Sequence, residues 1–151
     1  MPSLPVAYRY AQPADTSFFM NSYLKSFREA GINKAINTHE YYTLQGEWVN
    51  TQFVAPYSHL ILAVNPETPD QIYAYIWYFD LGDHRFINWL YVKQPFRKFG
   101  LARNLIEQAL LGFEGSIYYT HFNANVPKLK NNVKHCKYVP FYYLNRPGES
   151  K

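Results

Sequence analysis

The 151-residue sequence contains a single cysteine, Cys136, so no disulfide can form within the chain. A lone thiol fits a reducing compartment, and a cytoplasmic location is expected. No segment approaches the roughly 18 apolar residues of a membrane-spanning helix, and no membrane partner is expected. Met1-Pro2-Ser3-Leu4-Pro5 lacks a basic stretch followed by an apolar one, so no signal peptide is read there. Neither Gly-x-x-x-x-Gly-Lys nor Gly-x-Gly-x-x-Gly occurs, which leaves nucleotide hydrolysis and dinucleotide redox chemistry unsupported. His121, His135 and Cys136 show no recognised zinc spacing, and no metal is expected. His135 and Cys136 are adjacent; on a strand they would face opposite ways, so a structural cysteine is favoured over a nucleophile.

Acidic side chains are also scarce, but only in the second half. Residues 84–148 hold ten basic and two acidic side chains, against four basic and eight acidic in residues 1–83. From Glu114 to Glu149 no further Asp or Glu occurs. A basic half of this kind attracts phosphates, whether on a coenzyme, a nucleic acid or an acidic partner. Lys128, Lys130, Lys134 and Lys137 read equally well as a solvated surface. What the chain has in excess is aromatic side chains, with 15 Tyr and 11 Phe. Its length suits one domain over residues 1–151 with a substantial core.

The order of elements is α/β. Val6 to Ala11 reads as a strand, and Asp15 as the N-cap of a helix running to Gly31. Phe19, Tyr23, Leu24 and Phe27 share one face of that helix, although Asn21 to Arg28 is unusually polar for a buried one. A second helix is placed around Tyr41–Phe53. Leu60–Val64 and Ile72–Phe79 read as a hairpin around the turn Asn65-Pro66-Glu67-Thr68-Pro69-Asp70. Leu81-Gly82-Asp83 turns the chain into a strand over Phe86–Val92. A helix from Gly100 to Leu111 follows, packed through Leu101, Ala102, Leu105, Ile106 and Ala109. A strand at Ser116–Phe122, a short helix or turn near Asn125–Asn132 and an aromatic strand at Tyr138–Leu144 complete the order.

The most informative segment is Trp89 to Ile106. An apolar strand ends at Val92, a Pro-containing loop follows, and Gly100 opens an amphipathic helix. Arg97, Lys98 and Arg103 lie at that junction. The first amides of a helix have no intrahelical partner, and the helix dipole adds positive potential, so the junction suits a phosphorylated ligand. The plainer reading is an ordinary strand–loop–helix connection with a solvated basic loop.

Arg97-x-x-Gly100-x-Ala102, after a strand and opening a helix, resembles the acyl-CoA loop of the GNAT N-acetyltransferases, whose signature is Gln/Arg-x-x-Gly-x-Gly/Ala. Val92 and the bulky, basic residues after it match the flanks of that signature. The predicted element order, β-α-α-β-β-β-α-β-α-β, also matches that family. The resemblance implies a mixed, mostly antiparallel sheet flanked by helices, and acetyl-CoA as cofactor. It implies that the loop amides from Phe99 through Gly100, Leu101 and Ala102 to Arg103 hold the coenzyme pyrophosphate, with Arg97 and Lys98 as a charged rim. A backbone amide near Tyr91 or Val92 would polarise the thioester carbonyl. The helix Asp15–Gly31 together with the Tyr-Thr-His strand also looks like small acetyltransferase-like proteins of tailed phages.

The family often places a Glu on the strand before the loop as base, and Phe86 to Val92 contains none. Asp83 and His84 lie only at the start of that strand. His121, on the following strand, is the expected substitute, because an imidazole titrates near neutral pH. The family's usual general acid is a Tyr on the next helix; Asn125 to Val133 lacks one, and Tyr138 and Tyr142 are the nearest candidates. Tyr23, Phe27 and Arg28, with Tyr41 and Tyr42, are expected to line the acceptor cleft. An aromatic cleft could hold a lysine side chain or another amine, and the acidic half, through Glu40 and Glu47, could attract a cationic acceptor. Packing explains most of these residues equally well.

The expected activity is therefore acyl-CoA-dependent N-acetylation of a primary amine, on a protein or a small molecule, with a homodimer through an exposed strand edge as one form. The alternative is a binding module with this fold, catalytically weak or inactive, that contacts a protein or nucleic acid. Only charge and aromatic content speak for nucleic acid, through phosphate contacts and stacking.

Overall fold

A computed structural model of the chain describes residues 4–29, 37–119 and 136–138. Strand β1 spans Ala7–Tyr10, followed by helices α1 (Thr16–Glu29) and α2 (Thr38–Phe53). Strands β2 (Ser58–Val64), β3 (Ile72–Asp80) and β4 (His84–Val92) come next, then α3 (Leu101–Ala109), β5 (Ser116–Tyr119) and β6 (Cys136–Tyr138). The strands form one sheet in sequence order. β1 to β4 are antiparallel, while β4–β5 and β5–β6 are parallel. The expected mixed, mostly antiparallel sheet flanked by helices is the fold of this chain. No helix among the described residues is long and apolar enough to cross a membrane.

The helices cover opposite faces, which explains why β3 is apolar along nearly its whole length. Tyr75, Trp77 and Phe79 pack with α1 and α2, whereas Ala74, Ile76 and Tyr78 face α3. A strand covered on both sides has no polar face to reveal its period. In β4 the alternation is broken by one residue. Trp77 lies opposite Trp89 and Tyr78 opposite Ile87, so Asn88 is an extra residue, a β-bulge. The bulge reverses the phase: Phe86 and Trp89 both face α1 and α2, and Ile87 and Leu90 both face α3.

Helix α1 buries Phe19, Tyr23 and Leu24 as expected, and its polar residues have work at the sheet. Ser22 Oγ meets the Tyr75 hydroxyl at 3.2 Å, and Ser26 Oγ accepts a hydrogen bond from Trp89 Nε1 at 2.8 Å. Asp15 is not the N-cap of this helix. It ends a 3-10 turn over Pro13–Asp15, where its carboxylate accepts from the backbone N–H of Gln12 and pairs with both terminal nitrogens of Arg9, at 2.7 and 3.0 Å. Pro13 sets up the turn, and β1 brings Arg9 to the carboxylate. Helix α2 begins three residues before Tyr41, because Asn37 Oδ1 accepts from the amides of His39 and Glu40. Gly31, residues 125–132 and the predicted strand beyond Tyr138 lie outside the described residues.

The guanidinium of Arg9 holds the Asp15 carboxyl below its usual range, against the opposing effect of burial. A depressed carboxylate stabilises the fold above its unfolded value and loses that contribution as pH falls through the folded one. Asp15→Asn is therefore expected to cost about 2 kcal/mol near neutral pH. The difference from wild type should shrink below about pH 4, where the unfolded carboxyl takes up its proton. Chemical denaturation at several pH values measures it; a gap that does not change with pH would refute the charge-pair account.

Helix α3 lies across the opposite face through Leu101, Leu105, Ile106 and Ala109, with Ala102 at the margin of the contact. At its C-terminal end the amides of Leu110 and Leu111 satisfy the carbonyls of Ile106, Glu107 and Gln108. Arg85 of β4 donates to the Ala109 carbonyl and also reaches Asp80 at 3.3 Å. A cation at that end complements the helix dipole.

Candidate functional site

β4 runs into the loop through local bonds. The Lys93 amide donates to the Tyr73 carbonyl at 2.9 Å, and a 3-10 turn follows over Gln94–Phe96. Pro95 sits in the first turn, where it removes no needed donor. The Phe96 ring packs on Tyr73 at 4.4 Å between centroids, which fixes the loop to β3. Since the Lys93 N–H points to β3, alternation aims the N–H and carbonyl of Val92 at the opposite edge of β4. β5 pairs with β4 only as far as Ile87 opposite Tyr119, so Tyr91 and Val92 lie beyond the last described pair.

Arg97 is more than a charged rim. Its Nε donates to the Val92 carbonyl at 3.0 Å, so the side chain folds back over that edge and holds the loop to the strand end. Lys98 has φ of 82° and Gly100 has φ of 75°, both left-handed. Gly100 is the N-cap of α3, and the first bond of the helix runs from the Asn104 amide to the Gly100 carbonyl at 3.1 Å. No side chain caps this end, and its first turn carries no acidic residue. From Lys98 to Arg103 no backbone amide has a hydrogen-bond partner among the described residues. Consecutive unpaired amides at a helix N-terminus, with left-handed residues beside them, are an arrangement suited to an anion.

The charges around this cradle are unequal. Lys98 is exposed. Arg103 instead pairs with Glu107 at 3.2 Å on the outer flank of α3, with both side chains 57% exposed. Its side chain is thus half neutralised and turned along the helix, while its amide stays in the cradle. A cavity of about 350 Å³ borders this segment, between the start of α3 and β1, lined by Leu4, Val6, Tyr8, Phe99, Leu101 and Asn104. A second, of about 190 Å³, lies near Gln108 and Leu111.

The residues expected to line an acceptor cleft are divided by the fold. Tyr23 is 2% exposed, edge-on to Trp77 and Trp89 at 5.3 and 5.9 Å, and is part of the core rather than a cleft wall. Arg28 is half-buried with its guanidinium 5.3 Å above the Tyr41 ring. Tyr41 is buried, donates to the Leu24 carbonyl, and has its phenol pushed up to about 12, chiefly by burial. Tyr42 is exposed and packs edge-on against Tyr41. Phe27 belongs to α1, but its side chain lies outside the described residues, as do those of Cys136 and Tyr138 on β6. His121 and Tyr142 also lie outside them. Asp83 and His84 bind each other at 2.7 Å. They sit at the far end of β4, about 25 Å from Val92 by strand rise, which removes them from this site.

One residue escaped the sequence reading. Lys93, next to Val92, is half-buried with its Nζ 4.8 Å above the ring of Phe18 on α1. A lysine following a strand within a basic loop gives no local sign of where its ammonium goes.

Neither a protein-family model nor a curated protein sequence matches the chain. Solved structures do. An inferred acetyl transferase from Pyrococcus furiosus superposes with a TM-score of 0.65 at 14% identity, over 97% of this chain and 94% of that one. An acetyltransferase of the GNAT family from Staphylococcus aureus gives 0.57 at 12% identity, over 93% and 81%. The Arabidopsis thaliana NAA60 protein, solved with a bisubstrate analogue, gives 0.55 at 16% identity, over 83% and 79%. The fold of this chain is the fold of GNAT acetyltransferases.

Proposed function

We propose that the chain is an acetyl-CoA-dependent N-acetyltransferase that moves the acetyl group directly from the coenzyme thioester to a primary amine. The observation that carries this reading is the run of unpartnered amides from Lys98 to Arg103 beside the outward-facing N–H of Val92. Unpaired amides and a nearby ammonium suit the charge of a pyrophosphate, and the likeness to the acetyltransferase fold supports reading this segment as a coenzyme loop. Acetyl-CoA supplies the activated acyl group when bound. The Phe99–Arg103 amides hold the pyrophosphate, Lys98 adds charge at the rim, and Arg97 keeps the loop against β4. Of Tyr91 and Val92, Val92 has the N–H that points away from β3 and is free to hydrogen-bond a thioester carbonyl.

In the transfer, the amine nitrogen bonds to the acyl carbon as the carbon–sulfur bond breaks. His121 is proposed to take the ammonium proton, and Tyr138 or Tyr142 to return one to the departing thiolate. Among the described residues no carboxylate stands near Val92 on β4, which leaves the base to come from elsewhere, as His121 would.

Titrating acetyl-CoA calorimetrically into the protein is expected to give micromolar affinity. Arg97→Glu should weaken it at least tenfold, because the substitution removes the bond to the Val92 carbonyl and puts a carboxylate beside the phosphate cradle. No heat at millimolar coenzyme would overturn the transferase reading and leave the binding module in its place.

A further inference from the structure

Helix α3 covers one face of the sheet at Leu90 and Val92. The other face, alongside α1, is where an amine can reach the Val92 edge without displacing α3. The wall it meets there consists of the half-buried Phe18 and Ser22 on α1 and Tyr91 and Lys93 on and after β4, with Tyr75 of β3 fully buried behind them. The Tyr75 and Tyr91 rings lie 5.6 Å apart, and Phe18 stands edge-on to Tyr75 at 6.2 Å. Ser22 Oγ meets the Tyr75 hydroxyl at 3.2 Å. These groups are neutral, and Tyr75 is held so by burial, which pushes its phenol upward.

Lys93 supplies the one charge recorded in this wall. Its ammonium rests over the Phe18 ring and has no hydrogen-bond or ion-pair partner among the described residues. Burial pushes its pKa down, and no carboxylate offsets the loss of water. A half-buried ammonium with only an aromatic face beneath it favours an incoming anion over an incoming cation. The acidic residues of the first half do not reverse this balance. Asp15 is engaged by Arg9, and Glu40 and Glu47 are exposed on α2.

Resting on the transferase reading above, the geometry points to an acceptor that is a free amino acid, its carboxylate paired with Lys93 while its amine meets the thioester at Val92. Lys93 is then a specificity-determining residue. A polyamine or a lysine side chain in an uncharged peptide would bring a cation towards an unscreened cation and gain nothing from this wall.

The test compares free amino acids, the matching amino acid amides and spermidine as acceptors at saturating acetyl-CoA, following thiol release. At least one free amino acid is expected to exceed its own amide tenfold or more in kcat/KM. In Lys93→Met that preference should collapse through a rise of tenfold or more in KM, with kcat changed less than threefold; Lys93→Arg should restore most of it. Thermal unfolding and acetyl-CoA calorimetry on each variant check the fold and the coenzyme site separately. Amides or spermidine used as well as free amino acids, no acceptor turned over, or a preference unchanged in Lys93→Met would each overturn the inference. So would a Lys93→Met defect confined to acetyl-CoA affinity, which would assign the ammonium to the coenzyme. If acetyl-CoA binds and Arg97→Glu weakens it, a failure of preference belongs to the acceptor assignment alone, whereas absent turnover of every acceptor would overturn the transferase reading as well.

Discussion

Gly100→Glu is expected to weaken acetyl-CoA binding by at least about 100-fold, close to 2.8 kcal/mol at 1.4 kcal/mol per decade. Two effects add. Gly100 has φ of 75°, and a Cβ there would meet no atom within 4 Å, so crowding is not the obstacle. The obstacle is conformational: a residue with a β-carbon gives up about 1–2 kcal/mol in the left-handed region. It can regain that by rotating the N-cap, which would turn the amides of Leu101 to Arg103 away from a common centre. The second effect is charge, since a carboxylate at the mouth of the cradle repels the pyrophosphate and competes for the same amides. Gly100→Ala separates the two, because it carries the conformational cost alone; its affinity should fall between those of wild type and the Glu variant. Thermal unfolding without ligand should place the two variants within a few degrees of each other. Equal affinity of wild type and Gly100→Glu would mean that the phosphates lie elsewhere.

The β4–loop–α3 unit was legible because its signals are local. An apolar run, a proline, a left-handed glycine and apolar residues at Leu101, Leu105, Ile106 and Ala109 occur within a few turns of chain, and each acts on its neighbours. The start of α2 is also legible: Asn37, followed three residues later by Glu40, is a capping pattern, and the Asn37 side chain accepts from the amides of His39 and Glu40. Asp15 misled because a carboxylate before a helix favours the N-cap, while its actual partner, Arg9, arrives from the neighbouring strand. The bulge at Asn88 left only one trace, a polar residue inside an apolar strand. Its phase reversal is fixed by the pairing with β3, which no local pattern contains. Lys93 belongs to the same class, because its isolation depends on Phe18, brought alongside by α1.

Trp77→Ala should be the most destabilising single change in the described core. Trp77 is fully buried, with the rings of Phe19, Tyr23, Phe79 and Trp48 at 5.3, 5.3, 5.7 and 5.8 Å, and its Nε1 donates to Ser58 Oγ at 2.8 Å. Truncation leaves a cavity that rigid aromatic neighbours cannot fill, at a cost of about 3–5 kcal/mol. At about 2–4 °C per kcal/mol for a chain of this size, the unfolding midpoint should fall by roughly 6–20 °C. Trp77→Phe keeps most of the packing and loses the bond to Ser58, so its cost should be nearer 1–2 kcal/mol. Trp77 also faces Trp89 across the pair next to the bulge, so its loss loosens the support of the strand that presents Val92. That support is recoverable by mass action: coenzyme at about 100 times its Kd adds about 2.7 kcal/mol to any folded chain that binds it. Acetyl-CoA should therefore raise the midpoint of Trp77→Ala by several degrees and leave that of Gly100→Glu almost unchanged. A midpoint for Trp77→Ala within about 3 °C of wild type would contradict the packing argument, and equal rescue of both variants would contradict the cradle.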